Sequence, residues 1–218
     1  NYGVRVIAEG SAALVRRVWG EKTLVDFQDY GPGDSDISFG ARTIVRDIGR
    51  AAGPIKTKLR EYDLIFDTGA GDSFADIYGR KRLLTMAYGQ RMSGKVGVPL
   101  VFGPQTIGPF ETRVGDAIGR LSLGRATVVL SRDSISFDYA RSMGRSPDAR
   151  ATDVVFALPR QDVRTDRDVV LNVSGLLWFG DEHVGREKYR RRVYDLLRAL
   201  DAEGRRVSLL AHVINQRS

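Results

Sequence analysis

This sequence predicts an α/β fold built on Rossmann-like, doubly wound parallel sheets. Strand-like and helix-like segments alternate along the chain, the strand-like ones are apolar without a period of two, and the turns joining them are short. Strands that are apolar throughout are covered on both faces, as happens when each one leads into a crossover helix.

The elements follow in order. Ile7, Leu14, Val15, Val18 and Trp19 recur at helical spacing, and Thr23-Leu24-Val25-Asp26-Phe27 then reads as a short buried strand. Ile44, Val45 and Ile48 suggest a second helix. Asp63-Leu64-Ile65-Phe66-Asp67 is strand-like and ends in the glycine turn Gly69-Ala70-Gly71. Leu83, Leu84, Ala87 and Tyr88 mark a helix, Pro99 to Phe102 a strand, and Val114 to Leu123 a helix. Thr127 to Leu130 is a strand and Ile135 to Met143 a helix. From Pro159 the sequence turns charged and loses its period, and Val169-Val170-Leu171-Asn172-Val173 begins a new strand. An amphipathic helix follows, with Tyr189, Val193, Leu196, Leu197 and Leu200 on one face, and then the strand Val207 to Ala211. The expected organisation is a first domain over 1–158, a linker over 159–167, and over 168–218 the opening β-α-β of a second domain that this chain leaves incomplete.

Composition narrows the class. The 218 residues are 42% hydrophobic, enough for one full core and part of another. Lys and Arg number 34 against 27 Asp and Glu, and the net charge of +7 favours anionic partners. The arginines are scattered rather than gathered with aromatics, so nucleic acid is not the expected partner. The absence of cysteine excludes disulfides, thiolate metal sites and a Cys nucleophile, and suits a cytoplasmic protein. No stretch approaches the roughly 18 apolar residues of a membrane span. No metal-ligand cluster is visible either.

In open α/β sheets ligands bind beyond the carboxyl ends of the strands, which directs attention to five turns. Asp67 and Asp72 flank the glycines Gly69 and Gly71, whose missing side chains let backbone amides approach a ligand. This is neither a P-loop nor a dinucleotide fingerprint. Gln105 lies between two Gly-Pro pairs, at Gly103 and Gly108, that suggest a rigid wall. Arg132 stands at a strand-to-helix turn where Ser131 or Asp133 could cap the helix. Its guanidinium suits a carboxylate or phosphate, or else forms a structural salt bridge to Asp133 or Asp153. Asn172 and Ser174 offer neutral hydrogen bonds. His212 ends the last strand, as a hydrogen-bonded structural residue or as a catalyst, whereas His183 reads as an exposed loop residue.

As an ordered set these segments resemble the polysaccharide pyruvyl transferase family. The likeness is carried by Tyr62-Asp63-Leu64-Ile65-Phe66 with its glycine turn, by Gln105-Thr106-Ile107-Gly108-Pro109-Phe110, by Arg132-Asp133-Ser134 with a helix ending in Met143-Gly144, by Thr152-Asp153-Val154-Val155-Phe156, and by Ala211-His212-Val213. Ala70 interrupts a run that is often three glycines in the family, and Val4 stands where an acidic residue often follows the opening glycine.

The resemblance implies a two-domain architecture similar to the GT-B glycosyltransferases. It also implies transfer of pyruvate from phosphoenolpyruvate to a sugar as a cyclic ketal, in the biosynthesis of cell-surface or extracellular polysaccharide. The donor would lie between Arg132 and His212, with His212 as acid or cationic phosphate ligand and Asp67 or Asp72 orienting or deprotonating acceptor hydroxyls. Gly69, Gly71, Gln105, Asn172 and Ser174 would complete the binding rim. No cofactor is called for beyond phosphoenolpyruvate as donor substrate. The other partner would be a sugar, an oligosaccharide or a lipid-linked glycan, the last bringing peripheral membrane association. Two rival readings are a GT-B nucleotide-sugar glycosyltransferase and a non-catalytic protein that binds carbohydrate or another anionic ligand.

Overall fold

The computed structural model describes residues 2–31, 35–72, 74–160, 167–181 and 184–210. The chain divides into two compact units, one over Val6–Pro159 and the other over Arg160–Ser218 with Asn1–Arg5.

The larger unit is α/β. Four strands, β1 (Ile65–Asp67), β2 (Leu100–Gln105), β3 (Val128–Ser131) and β4 (Ala149–Arg150), form one sheet in that order with every pair parallel. The order runs without reversal over these strands, so the double winding expected from the sequence is not seen among the described strands, which are wound in one direction. Three helices cross between them: α4 (Arg80–Val96), α5 (Arg113–Arg125) and α6 (Ser134–Ser142). Ahead of the sheet come α1 (Tyr2–Trp19), α2 (Ala41–Asp47) and α3 (Pro54–Leu59).

Local chemistry sets the helix ends. Thr112 caps α5 by accepting the Gly115 N–H, Asp133 caps α6 by accepting the Ser136 N–H, and Pro54 opens α3 where no N–H is needed. Gly97 closes α4 in the left-handed conformation.

The core fills the space between β2 and β3 and the crossover helices. Phe74, Leu83, Phe102, Leu123 and Val129 are buried there, and Phe74 stacks against Phe102 and Phe110 with centroids 4.9 and 5.2 Å apart. All six residues of β2 are buried, which accounts for an apolar run with no alternation.

Three further expectations are corrected. Thr23 to Phe27 is not a strand: Leu24 is 94% exposed, and without a neighbouring strand to pair with, an apolar run has no ladder to join. Gly103-Pro104 lies within β2 rather than in the turn after it, where the register shifts between Phe102 and Gln105. Proline is tolerated at such an irregularity, and a Cβ on Gly103 would meet the Phe66 ring at 2.6 Å. Helix α2 forms where expected, but of the three residues that mark it only Ile44 packs inward. Val45 and Ile48, just past its end, are 72% and 59% exposed, while Thr43 and Asp47 are buried.

The smaller unit holds β5 (Val169–Asn172) and β6 (Val207–Leu210), paired parallel, with α7 (Gly175–Phe179) and α8 (Arg186–Ala202) between them. Val193 is the buried residue of α8, and Trp178 of α7 packs edge-on against Tyr194 at 5.8 Å. Arg205 forks onto both carboxylate oxygens of Asp168, tying the approach to β6 to that of β5. No helix among the described residues is long and apolar enough to cross a membrane.

Candidate functional site

The carboxyl ends of β1, β2 and β3 form a rim in the larger unit, and the predicted residues Asp67, Gly69, Gly71, Gln105 and Arg132 meet there. The turn after β1 takes positive φ at three successive residues, Gly69 (54°), Ala70 (51°) and Gly71 (94°). Two glycines make that affordable, and Ala70 carries the strain of a left-handed residue with a Cβ.

Asp67 organises the turn. One carboxylate oxygen accepts the Gly69 N–H at 2.8 Å and the other accepts the Gln90 side-chain amide at 2.9 Å. The residue is only 7% exposed, and burial pushes its carboxyl above the usual range against the pull of those two donors. Access for a substrate hydroxyl is therefore confined to the lone pairs that remain. Half-buried Tyr30 lies within the influence of this group, its hydroxyl pushed well above the ordinary value by burial and by the Asp67 charge.

Gln105, fully buried at the end of β2, donates its amide to the Asp67 carbonyl at 2.9 Å. Its own amide oxygen is buried without a hydrogen-bond partner and lies against Gly69, where a Cβ would sit 2.2 Å from it. Beyond it the chain stays stitched to the glycine turn. The Thr106 N–H donates to the Gly71 carbonyl at 2.8 Å and the Gly108 N–H to the Phe74 carbonyl at 2.9 Å. The Gly108-Pro109 bond is cis, and the Tyr139 ring packs so closely under Gly108 that a Cβ there would meet it at 2.4 Å. Asp76 braces the far side by accepting from the Glu111 N–H and from the N–H and hydroxyl of Thr112. Burial alone would raise its carboxyl, and these donors outweigh it and lower it.

Arg132 extends from the turn after β3 over the glycine turn, its guanidinium 3.3 Å from where a Gly71 Cβ would stand. The same guanidinium pairs with Asp153 at 3.0 Å, both side chains about one quarter exposed, whereas Asp133 is taken by the α6 cap. Ile7 fills the space against Gly71 itself, but about a quarter of the Arg132 side chain remains exposed, so an anion reaching it there could share its charge with Asp153. Asp72, exposed at the end of the turn, accepts the Tyr78 hydroxyl at 2.6 Å.

The remaining predicted residues belong to the smaller unit. Asn172 ends β5. The Ser174 N–H donates to the Tyr189 hydroxyl at 3.0 Å, and the Ser174 hydroxyl accepts the Leu177 N–H at 3.4 Å as a cap on α7. His212 and His183 lie outside the described residues.

Two members of the rim were not singled out from sequence, Gln90 and Asp76. Gln90 had a signal: it stands seven residues after Leu83, on the buried stripe of α4, and a polar side chain at such a position needs a partner. Asp76 had none beyond its place in a turn-rich segment.

Comparison with known proteins gives one finding. The model of the family described as polysaccharide pyruvyl transferase matches residues 1–217. No curated protein and no solved structure matches the chain significantly.

Proposed function

Since this chain belongs to the polysaccharide pyruvyl transferase family, we propose that it transfers pyruvate from phosphoenolpyruvate to two hydroxyls of a sugar, forming a cyclic ketal. The observation that carries the reading is the guanidinium of Arg132 at the sheet rim beside the glycine turn, paired with Asp153 and still about one quarter exposed. Phosphoenolpyruvate presents a phosphate and a carboxylate, and a planar guanidinium binds either in a forked geometry. Asp153 orients that fork from behind.

The chemistry then needs an acid. Protonation of the methylene carbon leaves an oxocarbenium-like centre at the carbon bearing the phosphate. A sugar hydroxyl adds there and gives up its proton. Phosphate departs with the bridging oxygen, and a second hydroxyl closes the ring and loses its own proton. His212 is the candidate acid or phosphate ligand, since a neighbouring dianion favours its protonated form. Asp72, exposed and already holding the Tyr78 hydroxyl, would orient acceptor hydroxyls. Asp67, buried with both oxygens engaged, acts as the base only through its remaining lone pairs.

The wider reading is a GT-B-like, two-domain enzyme with domains over 1–158 and from 168 onward. It would work in the cytoplasm, without a cofactor, on glycan acceptors of polysaccharide biosynthesis. Asn172 and Ser174 contribute neutral hydrogen bonds from the second domain.

Phosphate release from phosphoenolpyruvate in the presence of candidate sugar acceptors is the direct test. Release that depends on acceptor supports the reading, and turnover of a nucleotide sugar with none of phosphoenolpyruvate refutes it in favour of a glycosyltransferase. In the same assay, His212→Gln should lower turnover about 10² to 10⁴-fold with donor affinity largely kept if His212 supplies the proton. Near-normal turnover would remove it from the mechanism.

A further inference from the structure

A second place in the larger unit is built for an anion. A concavity of about 510 Å³ opens where the turn after α2 meets α3 and the second half of α4, and none of the rim residues lines it. Its walls carry five cations: Arg50, Lys56, Arg60, Arg91 and Lys95. Beside it, buried Asp47 accepts the Lys56 ammonium at 2.6 Å, the Tyr88 hydroxyl at 2.8 Å and the Ile55 N–H at 2.9 Å. That carboxylate neutralises Lys56 and pins α2, α3 and α4 together.

The other four cations have no such partner. Among the described residues no carboxylate lies within ion-pair distance of Arg50, Arg60, Arg91 or Lys95. The Arg60 guanidinium donates to the Ala51 carbonyl, at 3.1 Å. Like charges converging on one concavity repel each other, and an anion that enters relieves the repulsion while gaining their donors. A singly charged ion satisfies one of the four. A ligand with several charges on closely spaced oxygens satisfies most of them, and three guanidinium forks suit phosphate oxygens.

The lip of the concavity differs in character. Ile48 lines it and is 59% exposed, and Val96 and the buried Met92 add apolar lining beside it. Charge on one wall and exposed hydrocarbon at the mouth fit a group of linked phosphates with space beside it for an apolar continuation.

We propose that this concavity is a binding site for a diphosphate group, apart from the rim. The diphosphate has two possible sources, a soluble molecule or the headgroup of an amphiphile, and the apolar lip allows both to be tested. Arg91 and Lys95 are exposed on α4, and glutamine suits a helix about as well as either, so both can be replaced without disturbing the core.

Calorimetry of the full chain with inorganic pyrophosphate should give one site whose affinity falls as salt is raised. Arg91→Gln and Lys95→Gln should each weaken it about tenfold, the expected cost of one charge-assisted contact. Phosphoenolpyruvate affinity, measured on the same variants, should not change, which separates this site from the rim whatever the outcome for pyruvyl transfer. Farnesyl diphosphate supplies the second arm. Tighter binding than pyrophosphate, with the advantage lost in Ile48→Gln, assigns an amphiphile, and equal binding assigns a soluble ligand. Absence of pyrophosphate binding, or binding that neither charge substitution weakens, would overturn the proposal.

Discussion

Replacing Gly69 with alanine tests whether the glycine turn is shaped by its surroundings or merely permitted by its glycines. Gly69 has φ of 54°, and a left-handed conformation costs a residue with a Cβ about 1–2 kcal/mol. The new methyl would also stand 2.2 Å from the Gln105 amide oxygen. Gln105 is fully buried and donates to the Asp67 carbonyl at 2.9 Å, so it cannot yield without giving up that bond. Stranding a buried amide costs about 1–3 kcal/mol more. The sum, about 2–5 kcal/mol, is a large part of the ~5–15 kcal/mol that holds a typical domain. Ala70→Gly is the internal control. It removes a similar backbone penalty at φ 51° but adds unfolded-chain entropy of about 0.4–1 kcal/mol, so it should match the parent or exceed it by up to about 1.5 kcal/mol. Urea unfolding of the three proteins, compared by midpoint at a shared slope, reads both values. A Gly69→Ala protein within about 0.5 kcal/mol of the parent would show that Gln105 does not fill the space under the turn, and the account of the rim would fail.

Three further outcomes are expected. Arg132→Lys keeps the charge but loses the fork shared between Asp153 and an anion, so phosphoenolpyruvate affinity should fall about tenfold by calorimetry; an unchanged affinity would leave Arg132 a purely structural partner of Asp153. Lys56→Met strands the Asp47 carboxylate, and a loss of about 3 kcal/mol should appear in urea melts. That is the low end for a broken buried pair, because the Ile55 N–H, Lys56 N–H and Tyr88 hydroxyl still donate. The Arg205 fork, helped by the Arg206 N–H, lowers the Asp168 carboxyl to about 2. A depressed acid stabilises the fold above its unfolded value of about 3.9 and loses that contribution as pH falls towards 2. Arg205→Gln should flatten this part of the acid-unfolding curve and return the Asp168 carboxyl resonance to an ordinary titration, and a curve of unchanged shape would contradict the assignment.

Much of this was legible in the sequence because it is written locally. The apolar runs at Ile65 and Leu100, the helical spacing of Leu83 and Ala87, and the capping residue Asp133 each act within a turn or two of themselves. The rim could be anticipated for the same reason, since residues after parallel strands fall at one edge whatever the sheet's details. Exposure was not legible for α2. Its spacing gave a helix, but Asp47 turns inward to four donors from α3 and α4 and leaves Val45 facing water.

By itself, then, the sequence determined the alternation of elements, the parallel sheet, and the placing of Asp67, Gln105 and Arg132 at strand ends. Those properties depend on hydrophobic period and turn chemistry that neighbouring residues settle among themselves. Only the tertiary structure decided that Thr23 to Phe27 finds no strand to pair with, that Arg132 pairs with Asp153 rather than Asp133, and that Gln90 reaches Asp67 across 23 residues. Each of these is a choice among partners distant in sequence, made when β1, β2 and β3 come together and a buried donor or charge must be matched by whatever the fold has placed within reach.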